Sequence, residues 1–332
     1  MPMVMLRALL VAILLLAVPA SAEAAPTKAN WDKREQQQVV SAGLMSNQPD
    51  GFHGDQPLTS ADLTLAFTAL SASTGTPAVT VSSAPISVTR FDALVVDQLG
   101  LNDAAQLFQD GAKNAGLRPP GYFGTEVTAR LLGLRYNHQS PYDSLELYPS
   151  DRITRAEAAY SLAQVLHFDG WEADYARENA ARFQLPSYTA KQRRALTLAV
   201  SKIGMPYVWG GETDGPSPGQ VHGGYDCSGF AWRVFKLSGN PAGRRIGGRT
   251  AAQQAGEIPK ARRIALDAVQ PGDLLFFGTA RFRSKATERN VTHEGIALSS
   301  EWAINSSSQG VYVLPLDQGW LHDSFTWARR IL

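Results

Sequence analysis

The 332-residue chain has a single cysteine, Cys227. One thiol excludes an intramolecular disulfide framework and any zinc site built on paired cysteines. The charges almost cancel, leaving +1, so there is no footprint for nucleic acid, which needs a concentrated basic face. No His, Asp and Glu cluster has metal-ligand spacing, which speaks against a zinc hydrolase, and no cofactor is implied. Long apolar runs are also missing. The longest, "ALLVAILLLAV" at 8–18, falls short of the roughly 20 residues that cross a bilayer.

That short run has another reading. Arg7 precedes it, and "PASA" follows with Ala20 and Ala22 at the small-residue positions before a cut. This is the pattern of a cleaved signal peptide, residues 1–22, and predicts a mature protein outside the cytoplasmic membrane and not held in it. Exported chains use cysteines mostly in pairs, so the lone thiol calls for an explanation.

The rest divides by composition. Residues 23–57 lack periodicity and read as a flexible lead-in. Residues 58–185 read as helical: Phe91, Leu94, Val95 and Leu99 share one helical face, and Ala158, Leu162, Val165 and Leu166 another. Three helix starts pair a threonine with an acid three residues on: Thr59 with Asp62, Thr89 with Asp92, and Thr154 with Glu157, the last a capping box. From 186 to 332 a helix capped by Ser187 or Thr189 precedes a glycine-rich loop and the helix bearing Cys227. Short strands follow, "DLLFFG", "HEGIALS", "WAINS", "GVYVLPL" and "SFTWARRI". Helices first and an antiparallel sheet after make an α+β fold.

Cys227 stands where chemistry is possible. Asp226 is a favoured N-cap, so the thiol falls in the first turn of a helix, beside free N–H groups and the positive end of the dipole. Both favour thiolate, and the same N–H groups suit an oxyanion. The plainer reading, a buried structural cysteine, explains neither the capping Asp nor the glycine-rich approach. Among six histidines, His293 is the best-placed base. It opens a strand whose alternation puts Gly295 and Ala297 on its face, leaving room for the cysteine helix. Asn305 on the next strand is either the group that orients His293 or a turn residue leading into "SSSQG". A thiolate–imidazolium pair would give a bell-shaped pH dependence.

The motifs "GMPYVWGG", "YDCSGF", "RTAAQ", "PGDLLFF", "HEGIAL" and "INSSSQGVYV" occur in this order over about 188–332. In this the chain resembles the NlpC family of papain-like, cell-wall cysteine peptidases. The resemblance implies a Cys227, His293 and Asn305 triad and an oxyanion site helped by the Tyr207 hydroxyl. It also implies that Asp226 receives the amino end of a peptidoglycan stem peptide, cut between D-γ-glutamate and the diamino acid. An inactive wall-binding relative and an amidase or acyltransferase are the other readings. Two departures stand out: Gly247-Gly248 ahead of Arg249, and a long basic link from Phe277 to His293. The segment "ITRAEAAYSLAQVL" resembles an S-layer homology repeat, in which the Thr-Arg turn, here Arg155 and Arg90, would bind anionic secondary wall polymer.

Overall fold

The computed structural model describes residues 26–332. The predicted signal peptide lies outside the described residues.

The segment expected as a flexible lead-in carries a helix, α1 (Lys33–Ser41). It has too few apolar residues to show a period, so tertiary contacts hold it. Gln36 Nε2 donates to Asp32 Oδ1 at 2.6 Å, and Val39, Leu44 and Met45 are buried. Then come α2 (Ser60–Thr74), α3 (Val88–Gln98), α4 (Asn102–Asn114), α5 (Phe123–Leu131), α6 (Arg155–Val165) and α7 (Trp171–Arg182).

The starts of α2, α3 and α6 meet. Leu58 N donates to Ile153 O at 2.9 Å, and Ile153 N to Ile86 O at 3.1 Å. Their caps are Thr59, Ser87 and Thr154. Thr59 and Asp62 form a reciprocal capping box. The other two starts differ from expectation. Ser87, not Thr89, caps α3, and Thr89 donates instead to Pro149 O. Thr154 accepts from Glu157 N, but the Glu157 carboxylate turns to Arg135 and His138. Buried Arg155 is also turned inward, paired with Asp62 and donating to Phe52 O and Ser46 O. It is therefore not presented to a wall polymer.

The second half opens with α8 (Ala190–Val200), capped by Thr189 in a box with Gln192. A glycine-rich loop holds two short paired strands, β1 (Glu212–Thr213) and β2 (Gly224–Tyr225). Next are α9 (Cys227–Leu237), α10 (Pro241–Arg244) and α11 (Ala251–Gly256). The strands β3 (Asp273–Gly278), β4 (Val291–Ala297), β5 (Trp302–Ser307) and β6 (Gly310–Pro315) then lead through α12 (Gly319–Ser324) to β7 (Phe325–Arg330). The sheet is antiparallel, in the order β6-β5-β4-β3-β7. The fold is α+β, as expected.

One face of the sheet packs on α9 through Phe230, Ala231, Val234, Ile296 and Ile304. The same cluster runs on into α4, α5 and the end of α7. Phe108, Phe183 and Trp302 meet there edge to face, with centroids 5.0–5.9 Å apart. Burying each such ring contributes about 1.5–3 kcal/mol. The expected boundary at 185–186 therefore crosses a continuous core. The other face is covered by Leu316 and Leu321.

Candidate active site

Cys227 is the first residue of α9 and 8% exposed. Asp226 caps the helix, accepting from Gly229 N at 2.5 Å. The approach is close: a Cβ on Gly229 would lie 2.0 Å from Gly211 O, so only glycine fits between loop and helix. The N–H groups of Ser228 and Glu294 point to the sulfur.

The Glu294 contact follows from the sheet. Strand β4 begins at Val291, but its pairing with β5 covers only Gly295–Ala297 against Ala303–Asn305. Before Gly295 the two strands part, and the start of α9 enters the gap. Alternation puts Ile296 against α9 while Gly295 and Ala297 face the other way, with His293. The small residues beside His293 thus do not receive the cysteine helix. Gly295 makes room for Asn305 instead, since a Cβ there would sit 3.1 Å from the Asn305 Cβ.

His293 Nε2 lies 3.0 Å from Asn305 Oδ1. The amide orientation follows from its other end, where Asn305 Nδ2 donates to Tyr312 O, which can only accept. Oδ1 therefore faces the ring, Nε2 carries the hydrogen, and Nδ1 is left as the base. Phe277 and Trp320 flank the imidazole, with centroids 5.7 and 5.2 Å away.

Burial sets the protonation states. It pushes the Cys227 thiol up, helped by the charges of Glu294 and Asp226. It lowers His293 to about 4, against the opposing effects of Asn305 and Asp226. A helix dipole is worth at most about 2 kcal/mol, near 1.5 pH units, whereas desolvation reaches about 3–5 units. Burial therefore works against the ion pair expected from the helix start, and the dipole works for it.

Asp226 also differs from expectation. It accepts from Gly210 N, Gly229 N, Ser228 Oγ and both terminal nitrogens of Arg249, at 2.5–3.1 Å. Five donors fill the roughly four lone-pair positions of a carboxylate. It is a cap and an Arg249 partner, with no free oxygen for a substrate amine. Arg249 stands inside the "RTAAQ" motif, and only the ion pair with Asp226 reveals its part.

Tyr207 lines the same cavity as Cys227 and His293. Burial, then the charges of Cys227 and Asp226, push its phenol up, so the hydroxyl stays a donor. Its backbone is clasped from the helical half: Tyr207 N donates to Asn137 Oδ1 at 2.6 Å, and Asn137 Nδ2 to Tyr207 O at 3.0 Å. His222 stacks on Tyr148 at 4.1 Å instead of joining the site. The cavity is about 830 Å³, and one wall is the segment 133–140 with Tyr160. Nothing local in that segment marks it as part of a site. The basic link carries exposed Arg281, Arg283, Lys285 and Arg289, and Arg263 donates to Ser284 O at 2.8 Å.

A helix-borne cysteine set against a sheet-borne histidine and asparagine is the arrangement of a papain-like fold. Residues 204–330 match the model of the NlpC/P60 family. The chain is 40% identical over 82 residues to Protein P54 of Enterococcus faecium, covering 25% of this chain and 13% of that protein. It is 30% identical over 132 residues to the probable peptidoglycan endopeptidase LytE of Bacillus subtilis, covering 40% and 32% of the two chains. It is 36% identical over 76 residues to the gamma-D-glutamyl-L-lysine dipeptidyl-peptidase of Bacillus subtilis, covering 23% and 20%. The chain thus spans less than a third of each relative's length. Among the described residues, no helix is long and apolar enough to cross a membrane.

Proposed function

We propose that the protein is an exported peptidoglycan hydrolase, a cysteine endopeptidase that cuts stem peptides through an acyl-enzyme on Cys227. The observation that carries this reading is the shared cavity of Cys227 and a His293 already oriented by Asn305. As the carbonyl carbon is attacked, the Cys227 proton passes to His293 Nδ1 and sulfur forms the C–S bond. The oxyanion is met by N–H groups of the first turn of α9 and by the Tyr207 hydroxyl. Collapse breaks the C–N bond, and His293 returns its proton to the leaving amine. Water, deprotonated by the same nitrogen, then hydrolyses the thioester. The family of the C-terminal domain and the relatives named as endopeptidases support this chemistry. The bond proposed is the one from D-γ-glutamate to the diamino acid, in keeping with the dipeptidyl-peptidase relative. The place of action is the cell wall.

The test is digestion of purified peptidoglycan by the mature protein, with mass spectrometry of released muropeptides. New stem-peptide fragments, absent with Cys227→Ala, are expected. Equal release by that variant sinks the reading. Wall binding without turnover marks an inactive binding protein, and cleavage at the lactyl–Ala bond or a new amide marks an amidase or acyltransferase.

A further inference from the structure

We propose that the cavity wall formed by Tyr136 and Tyr160 of the helical half, with Trp209 of the glycine-rich loop, binds an N-acetylated amino sugar, so that the enzyme acts on stem peptides still joined to glycan. The inference rests on the reading above and adds a sugar subsite to it.

The chemistry of the lining points to a neutral, hydroxyl-rich ligand with flat apolar faces. Beside Tyr207, the rings of Tyr136, Tyr160 and Trp209 border the cavity. Tyr136 and Trp209 are 38% and 72% exposed, so both can be reached by a ligand. Tyr136 is braced from behind by Trp31, stacked at 5.1 Å and 18°, and Tyr160 tilts against both. A ring held in this way loses little freedom when a ligand lies on it. Pyranose rings offer C–H faces to aromatic surfaces, while their hydroxyl and acetamido groups seek neutral hydrogen-bond partners. Gln139, Ser308 and Gln309 supply these at the rim. Gln309 Oε1 is buried and has no donor among the described residues.

The guanidinium of the lining, Arg135, is turned to buried acids, Asp92 at 3.7 Å among them. Arg135 donates to Glu157 at 3.2 Å, and His138 Nε2 lies 2.9 Å from the other oxygen of the same carboxylate. The His138 backbone N–H donates to Glu146. Asp226, with five donors, has no oxygen left for a free amino end. A substrate whose alanine nitrogen is amide-linked to the lactyl group of a sugar presents no such charge. Between the scissile carbonyl and that lactyl group lie two residues, one of them γ-linked, roughly 9–10 Å of extended chain. A cavity of about 830 Å³ has room for both parts, within the roughly 300–1,000 Å³ typical of ligand sites.

The test compares kcat/KM of the full-length enzyme on a disaccharide-tetrapeptide and on the same tetrapeptide with a free amino end. A preference of tenfold or more for the sugar-linked substrate is expected, and Tyr136→Leu and Trp209→Ala should pull that ratio toward one. Equal rates, or faster cleavage of the free peptide, overturn the inference. A second measurement is independent of turnover: titration of Cys227→Ala with the peptide-free disaccharide of N-acetylglucosamine and N-acetylmuramic acid, followed by saturation-transfer NMR. Transfer to the sugar protons that Trp209→Ala weakens is expected, and no transfer overturns the inference. If neither peptide is cut but the disaccharide binds, the endopeptidase reading fails and the sugar site stands.

Discussion

Replacing Glu294 with leucine is expected to stabilise the protein, and increasingly so as the pH rises. Glu294 is fully buried, and neither carboxyl oxygen has a hydrogen-bond partner among the described residues. Burial raises its pKa well above the usual carboxylate range, and the Asp226 charge adds to this; Arg249 and Arg329 offset only part. An unpartnered buried polar group costs about 1–3 kcal/mol, which an apolar side chain of similar volume avoids. A second effect depends on pH. The unfolded chain releases this proton near pH 4.3, while the folded chain retains it. Above that pH the folded state binds more protons than the unfolded. Stability therefore falls by about 1.4 kcal/mol per pH unit until the raised folded pKa is reached. Glu294→Leu removes this loss. At roughly 2 °C per kcal/mol for a chain of this size, the first effect alone raises Tm by about 2–6 °C. Melting curves at pH 4.5, 6 and 8 should show a gap over the parent that widens with pH. Glu294→Gln, polar but not titrating, should share the widening and lack the constant part. A gap independent of pH, or a leucine variant less stable throughout, would refute this account of the site.

With neutral His293 as the base, kcat/KM should fall as pH drops through about 4 and hold level from about 5 to 8. An alkaline fall as His293 loses its proton, with the acid limb set by the thiolate, would restore the ion pair. Asn305→Ala removes the partner of His293 Nε2, a loss of about 1–3 kcal/mol, or roughly 5- to 150-fold in kcat/KM, with the peptide KM little changed. An unaltered rate would show that Asn305 does not orient the ring. Arg155→Ala breaks a buried ion pair and should lower stability by about 3–5 kcal/mol in urea unfolding, whereas sedimentation with purified walls should not depend on the arginine itself. A stable variant that no longer sediments with walls would reinstate the polymer contact.

Where local chemistry decides, the sequence was readable. Asp226 before Cys227 means a capped helix with the thiol in its first turn, and Thr189, one of the two expected caps, starts α8. Each of the five expected strands forms, since alternation and turn residues suffice for an antiparallel sheet. Two threonine starts were misread for a shared reason. Any Ser or Thr near a helix start can cap it, and whether Ser87 or Thr89 does so depends on the α6 start bonded beside it. Glu157 likewise looked like a capping partner until Arg135 and His138, brought by the fold, claimed its carboxylate. Helix α1 was hidden because its stability lies in what it packs on. The protonation of the pair was unreadable for the same cause: burial depth is a property of the assembled cleft, and it outweighs the dipole that the sequence does encode.

The two-way bond between Asn137 and Tyr207 has a consequence for inheritance and engineering. The clasp and the core shared by Phe108, Phe183 and Trp302 make the first half of the chain a component of the catalytic apparatus rather than its neighbour. A segment begun at residue 186 would keep the nucleophile and its base yet lose one side of the cavity and bare the Trp302 surface. Changes in residues 133–140, remote in sequence from every thiol-peptidase motif, should then alter which substrates are cut, and new specificities can arise there without touching Cys227.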